Sequence, residues 1–258
     1  MLVLHFGLQC PWTPWVIRQA RQAAARLGED LQVVDVARQP EYARRYRMFF
    51  PFMTVIDGDL RLSSPTPACE LVRLARGEAM PTPAETLVER PAGLAQAVRP
   101  LVAASLLDTC WLCIDPPGGR GCRAKVAWVA NLSKDLPNGL LGFAAIQENR
   151  VVGAVEFIPA SLVPYPLPDK TPQTAFITCL YSLEEGPDYL LKALACLLEY
   201  APSADFHQVQ VVAGKRLPYP NGPQSFFQAC GFDELAKLDH AALGTEVEPL
   251  VLLEKQLS

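Results

Sequence analysis

"TAFITCLYSLEEGPDYLLKALACLLEY", residues Thr174 to Tyr200, decides how the chain is read. Its first part, Thr174 to Ser182, is rich in β-branched and aromatic residues and predicts a strand. A short turn with Gly186 and Pro187 follows, and then an apolar-faced helix. A strand that feeds a helix through such a turn can present the helix's free N–H groups to a phosphate. Here the turn holds Glu184, Glu185 and Asp188, the wrong charge for that task. A carboxylate about 4 Å from a phosphate opposes binding by about 4 kcal/mol at an effective dielectric near 20. The amides and dipole of a helix start contribute about 0.3–2 kcal/mol. Repulsion wins unless Asp188 points away. Pro187 and the acids also read as ordinary helix-start signals.

Working outward, "GLLGFAAIQENRVVGAVEFIP" (Gly139 to Pro159) alternates around Glu148-Asn149-Arg150 and predicts a β-hairpin. A helix over Arg123 to Leu136 precedes it, and an apolar run from Leu101 to Cys113 opens this part of the chain. Downstream come a strand, Phe206 to Gly214, and a short helix from Pro223 to Phe232. "ELAKLDH" and "VEPLVLLEKQL" then close the sheet. Toward the N-terminus, strands at Leu2 to Gly7 and Leu31 to Val36 alternate with helices at Trp15 to Gly28 and Pro40 to Met48. Two strands around Asp57-Gly58 and a helix from Pro67 to Gly77 complete the order βαβαββα. Four prolines between Glu78 and Pro100 predict a linker. The expected organisation is a domain over residues 1–80, a linker over 81–100 and a domain over 101–258, all of α/β (α+β) class.

At 258 residues, 50% hydrophobic and 19% charged, the chain can bury a sizeable core. A net charge of −4 and the lack of a Lys/Arg cluster give no footprint for nucleic acid. The first residues lack the features of a secretory signal, and no run reaches the roughly 18 apolar residues of a membrane span. The expectation is a cytoplasmic chain with neither nucleic-acid nor membrane partner, its oligomeric state open. Its eight cysteines are expected to be mostly thiols, with Cys179 and Cys196 as small buried hydrophobes. "CWLCIDPPGGRGC" brings Cys110, Cys113 and Cys122 together. A fourth ligand at regular spacing is missing, so no metal is expected there and the thiols should pack beside Trp111.

From Leu101 to Ser258 the chain resembles the GNAT acetyltransferase family. The resemblance is carried by the meander "GFAAIQENRVVGAVEFIP", the strand "FITCLYS" with its helix, and "SFFQACGF", similar to the family's late F-Y-x-x-x-G-F element. It implies a mixed central sheet flanked by helices, with acetyl-CoA as co-substrate and a small-molecule or peptide amine as acceptor. It also implies that the strand before the helix splays from its neighbour and offers bare amides to the pantetheine arm and the oxyanion. On that basis the acetyl-CoA contacts fall on Cys179, Leu180 and Tyr181 in the strand, on Gly186, Asp188 and Tyr189 at the helix start, and on Phe227 in the late helix. Phe227 stands where many members carry a tyrosine general acid, leaving Tyr181 or Tyr219 for that role. Glu156, in an apolar strand, is either a general base or a residue that pairs with a cation or faces solvent. The first 80 residues resemble the thioredoxin-like fold, with Cys10 in "CPWT" at the start of the first helix, where a dipole lowers a thiol's pKa. With Thr13 in place of a second cysteine, Cys10 is either a monothiol redox group or structural. A non-catalytic binding domain is the other alternative.

Overall fold

Two left-handed turns set the strand pairing. In the computed structural model, which describes residues 1–78, 82–83, 91–113, 119–183, 188–215, 221–243 and 246–257, Asp57 and Gly58 have φ of 50° and 81°. Glu148 and Asn149 have φ of 49° and 60°. Such turns match the right-handed twist of the strands they join. They fold β3 (Phe52–Ile56) onto β4 (Leu60–Leu62) and β7 (Gly142–Gln147) onto β8 (Arg150–Pro159).

The remaining strands are β1 (Leu2–His5), β2 (Gln32–Asp35), β5 (Thr82–Pro83), β6 (Ala97–Leu101), β9 (Thr174–Ser182), β10 (Gln208–Gly214), β11 (Asp233–Leu243) and β12 (Glu246–Gln256). The helices are α1 (Thr13–Leu27), α2 (Pro40–Tyr46), α3 (Ala68–Ala75), α4 (Arg120–Leu132), α5 (Leu190–Tyr200) and α6 (Gln224–Ala229). A 3₁₀ helix, Ala103–Leu112, precedes α4. The strands run β2-β1-β3-β4-β11-β12-β10-β9-β8-β7-β6 through one sheet, with β5 beside β12. The first four keep the βαβαββα order read from the sequence. The last seven form a mixed α/β layer, antiparallel except where β9 and β10 run parallel, consistent with the GNAT-like central sheet expected.

The two parts share one core and one narrow sheet junction. Leu62 of β4 lies beside Ala242 of β11, and the Ser63 N–H donates to the Ala242 carbonyl at 2.8 Å. Leu4, Phe6 and Met48 pack in one apolar cluster with Ile158, Phe176, Leu250 and Leu252 from the far sheet. Phe6 meets Trp128 of α4 edge-on at 5.3 Å. On the opposite face, α5 buries Leu190, Ala193, Leu194 and Leu197 against β7, β8 and β9. Asp239 of β11 bridges back to Arg61 at 2.7 Å and Arg47 at 3.3 Å. Burial opposes the carboxylate's charge, but Arg61 and then Arg47 outweigh it and hold Asp239 below its usual range.

Two expectations change. A strand, β6, begins inside the segment read as linker. Its Pro100 is tolerated because β6 is the sheet's edge, where an absent N–H costs no ladder bond. Cys110 and Cys122 are joined in a disulfide, with Cα atoms 6.0 Å apart, instead of standing as thiols beside Trp111. Among the described residues no helix is long and apolar enough to cross a membrane, and no His/Cys/Asp/Glu group is arranged to hold a metal ion.

Candidate active site

The site begins where a ladder stops. β9 and β10 pair from Thr174↔Gln208 only to Ile177↔Val211. Beyond that point β9 stays bound to β8 as far as Ser182↔Gly153, and β10 to β12 as far as Gly214↔Leu250. Each strand is thus held by its outer neighbour while the inner edges part. A register shift between Glu156 and Phe157 leaves Thr178 as an extra residue on β9, and such a bulge bends its strand.

Asn221 fills the wedge. It is 3% exposed. Its Oδ1 accepts the Leu180 N–H at 2.8 Å, and its Nδ2 donates to the Val212 carbonyl at 3.2 Å. A carboxamide therefore satisfies one bare group on each strand. On the β9 side, the Thr178 carbonyl accepts a 3.4 Å bond from Nε2 of Gln9, in the loop between β1 and α1. The buried Oε1 of Gln9 has no partner among the described residues.

On the face of the sheet turned toward α4 and the N-terminal part lies a buried ionic cluster. Helix α4 buries Cys122, Lys125 and Val129 on one stripe. Lys125 Nζ donates to Glu156 Oε1 and Oε2 at 2.6 and 2.7 Å, and the Tyr181 hydroxyl donates to Oε1 at 2.8 Å. Glu156 is thus buried and paired with a cation. Burial works against the Lys125 ammonium, yet Glu156 overcomes it and raises its pKa. Burial, then the Glu156 charge, pushes the Tyr181 phenol well up, so it stays a neutral donor. Lys125 Nζ also lies 5.9 Å from the centre of the Tyr181 ring.

Three thiols border this cluster. Cys179 is the cross-strand neighbour of Glu156. Cys113 is tied to the N-terminal part by the Trp12 Nε1–H, which donates to its carbonyl at 2.9 Å. The Cys10-Pro11-Trp12 loop sits so close to the start of α4 that a Cβ on Gly121 would run into the Pro11 carbonyl. Cys10 and Cys113 keep partly accessible surfaces but lie deep, and depth governs their chemistry. Burial pushes the Cys10 thiol up to about 11, against the smaller opposing effect of the Trp12 backbone N–H. It pushes Cys113 up to about 12. At Cys10 the desolvation of a thiolate thus outweighs the pull of a helix start.

The helix start answers the question its sequence raised. Asp188 points at it. Its Oδ1 accepts the Leu190 N–H at 2.9 Å, so a carboxylate already holds an amide that a phosphate would need. The backbone of Asp188 pairs with the chain before β6: its N–H donates to Pro91, and its carbonyl accepts from Gly93. Lys192, one turn on, donates to the Ala95 carbonyl at 2.9 Å. In this structure the Asp188 carboxylate is thus engaged with its own helix start. Tyr189 is half-buried against the core under α5. Phe227 is fully buried between Phe226 and Phe232 and presents no surface to a ligand. Gly186 and Tyr219 lie outside the described residues. The structure thus brings Glu156, Cys179, Tyr181 and Cys10 to one region, with Leu180 at the wedge beside it, while Phe227 and Tyr189 join Leu180 in the apolar cluster under α5. An open polar groove lined by Asp169, Gln173, Asp205 and His207 lies at the other end of β9 and β10, away from this region.

Lys125, Asn221 and Gln9 were not singled out in the sequence. Lys125 had a signal: it stands in an apolar stripe at helical spacing, while Glu156 stands in an apolar strand, and two buried opposite charges call for each other. Asn221, between a proline and a glycine, reads only as a turn residue.

No family model and no curated protein matches the sequence. Among solved structures, the chain is similar to the ribosomal-protein-alanine N-acetyltransferase from Brucella melitensis. That likeness has 18% identity and a TM-score of 0.46, covering 62% of this chain and 99% of the other. It is similar to an N-acetyltransferase from Staphylococcus aureus Mu50 at 13% identity and a TM-score of 0.47, covering 63% and 98%. An aminoglycoside 6'-N-acetyltransferase complexed with coenzyme A shares 13% identity at a TM-score of 0.43, covering 62% and 97%.

Proposed function

We propose that the chain is an N-acetyltransferase that takes its acetyl group from acetyl-CoA and passes it to a small-molecule or peptide amine. The observation that carries this reading is the wedge between β9 and β10. Its hydrogen-bonding demand, an N–H from Leu180 and a carbonyl from Val212, is met by the carboxamide of Asn221. A pantetheine arm carries the same functional group, so its amides suit the same pairing. Bound there, the thioester supplies an activated acyl carbon. The Leu180 N–H, freed from Asn221, is the donor for the oxyanion. Tyr181 is the next residue; its hydroxyl, which donates to Glu156, gives a proton to the departing thiolate, while the attacking amine passes the proton it loses to the Glu156 carboxylate, from which the phenolate is reprotonated. The acceptor approaches from the face walled by α4 and the Cys10 loop, so the N-terminal part shapes the acceptor pocket. The pyrophosphate end fits less well, because Asp188 caps the helix.

That misfit supports a second reading, a binding domain without turnover. Calorimetry with acetyl-CoA separates the two. Binding together with coenzyme A release in the presence of amines is the outcome expected of an enzyme, and binding without release leaves the binding domain. Absence of heat at millimolar ligand removes both acyl-CoA readings.

A further inference from the structure

We propose that Cys110, Cys113 and Cys122 form a thiol–disulfide exchange site in which Cys110 changes partner between Cys122 and Cys113. Cys110 lies in the last turn of the 3₁₀ helix, and its disulfide with Cys122 ties that helix to the first turn of α4. A 3₁₀ helix has three residues per turn, so side chains three apart eclipse. The turn runs on through Cys113, whose N–H donates to the Cys110 carbonyl at 3.2 Å. Three steps of about 2 Å separate the two Cα atoms by about 6 Å, within the span a disulfide bridges. The sequence Cys110-Trp111-Leu112-Cys113 thus offers Cys110 a second partner beside the one it holds.

The exchange needs no external oxidant. Cys113 gives up its proton to solvent, and its sulfur attacks Sγ of Cys110. The Cys110–Cys122 bond breaks, and its electron pair leaves on Cys122, which takes up a proton. One disulfide replaces another, with no net oxidation or reduction. Among the described residues, the charged and titratable groups facing Cys113 are Lys125 from α4, Cys10 from the loop after β1, Glu156 from β8, and Cys179 and Tyr181 from β9. Burial holds the Cys113 thiol protonated at neutral pH. The rate of exchange therefore rises about tenfold per pH unit, following the thiolate.

What the switch moves is α4. Cys122 and Lys125 are one turn apart on the same buried stripe, so release of Cys122 untethers the turn that supplies the cation for Glu156. The exchange needs no acyl donor, and a failure of acetyl-CoA to bind leaves it standing.

The test uses the full chain, incubated at pH 7, 8 and 9 with its tryptophan fluorescence still native, then quenched in acid, alkylated and digested with trypsin without reduction. Cys110–Cys122 joins the peptide ending at Arg120 to the tripeptide Gly121 to Arg123. Cys110–Cys113 instead gives the first peptide alone, two hydrogens lighter, and releases the second with Cys122 alkylated. The expected result is growth of the lighter peptide, about a hundredfold faster at pH 9 than at pH 7, abolished in Cys113→Ser and unchanged in Cys10→Ser. Finding Cys110 bound only to Cys122 at every pH overturns the proposal, as does a rate indifferent to pH. In Cys122→Ser held with a low-molecular-weight disulfide, Cys110 should pair with Cys113; two freely alkylated thiols there would overturn it as well.

Discussion

Replacing Lys125 by methionine tests the centre of the site. The side chains are similar in length, so the perturbation is the loss of a charge from a spot where Lys125 is 3% exposed and Glu156 0% exposed. Glu156 would keep only the Tyr181 hydroxyl among its side-chain donors. Breaking a buried pair by removing one partner costs about 3–5 kcal/mol, because the remaining charge is desolvated without compensation. Against a total stability of about 5–15 kcal/mol this is a large share. With a urea slope of about 2–3 kcal/mol per molar, the unfolding midpoint followed by tryptophan fluorescence should fall by about 1–2.5 M. The double variant Lys125→Met, Glu156→Leu should recover most of the loss, since apolar groups replace a buried pair at little net cost. Its residual deficit, from the Tyr181 hydroxyl left without its acceptor, should be about 1 kcal/mol. A midpoint that moves by less than about 0.3 M in the single variant, or a double variant no more stable than the single, would refute the reasoning. The Lys125 pKa is raised on folding, so the pair's contribution is fully present below the unfolded lysine value and is lost only as pH rises through the higher folded one. The wild type should show no pH dependence from this pair between pH 6 and 9.

Asp188→Asn keeps an acceptor for the Leu190 N–H but removes the charge, and should tighten acetyl-CoA binding at least about tenfold, or about 1.4 kcal/mol, by calorimetry; unchanged affinity would mean that the pyrophosphate never approaches this turn. Asn221→Ala strips partners from the Leu180 N–H and the Val212 carbonyl and should cost about 1–3 kcal/mol in urea unfolding. A neutral result would mean that water already serves both groups. Iodoacetamide at pH 8, read by mass spectrometry, should label the exposed Cys69 well before Cys10 and Cys113; early labelling of Cys10 would contradict its deep placement. Because folding raises both thiols, to about 11 and about 12, stability should be level below the unfolded thiol value near 8.5 and decline as pH climbs toward the folded values.

Local chemistry made most of the elements legible. Asp57-Gly58 and Glu148-Asn149 marked their turns, alternation marked β7 and β8, β-branched and aromatic residues marked β9, and the glycines at 28 and 231 marked where helices stop. The parting of β9 from β10 was expected from resemblance and is present. The composition of the site was less legible, because its members come from distant parts of the chain. Glu156 read as a base or an ion pair until Lys125, 31 residues upstream, supplied the cation. Gln9 reaches Thr178 across 169 residues, and nothing local to either predicts it. Phe227 and Asp188 were assigned by position in a motif, but a motif does not reveal whether a ring faces the core or a carboxylate bends onto its own helix.

The joining of β4 to β11 makes each half a caretaker of the other's raw edge. A chain cut between residues 78 and 97 would strip the flank of β11 and uncover Leu250 and Leu252, which Leu4, Phe6 and Met48 now shelter. Exposed strand flanks beside apolar surface recruit other chains. Fragments made to isolate either half should therefore clump on expression unless both are produced together and left to find each other.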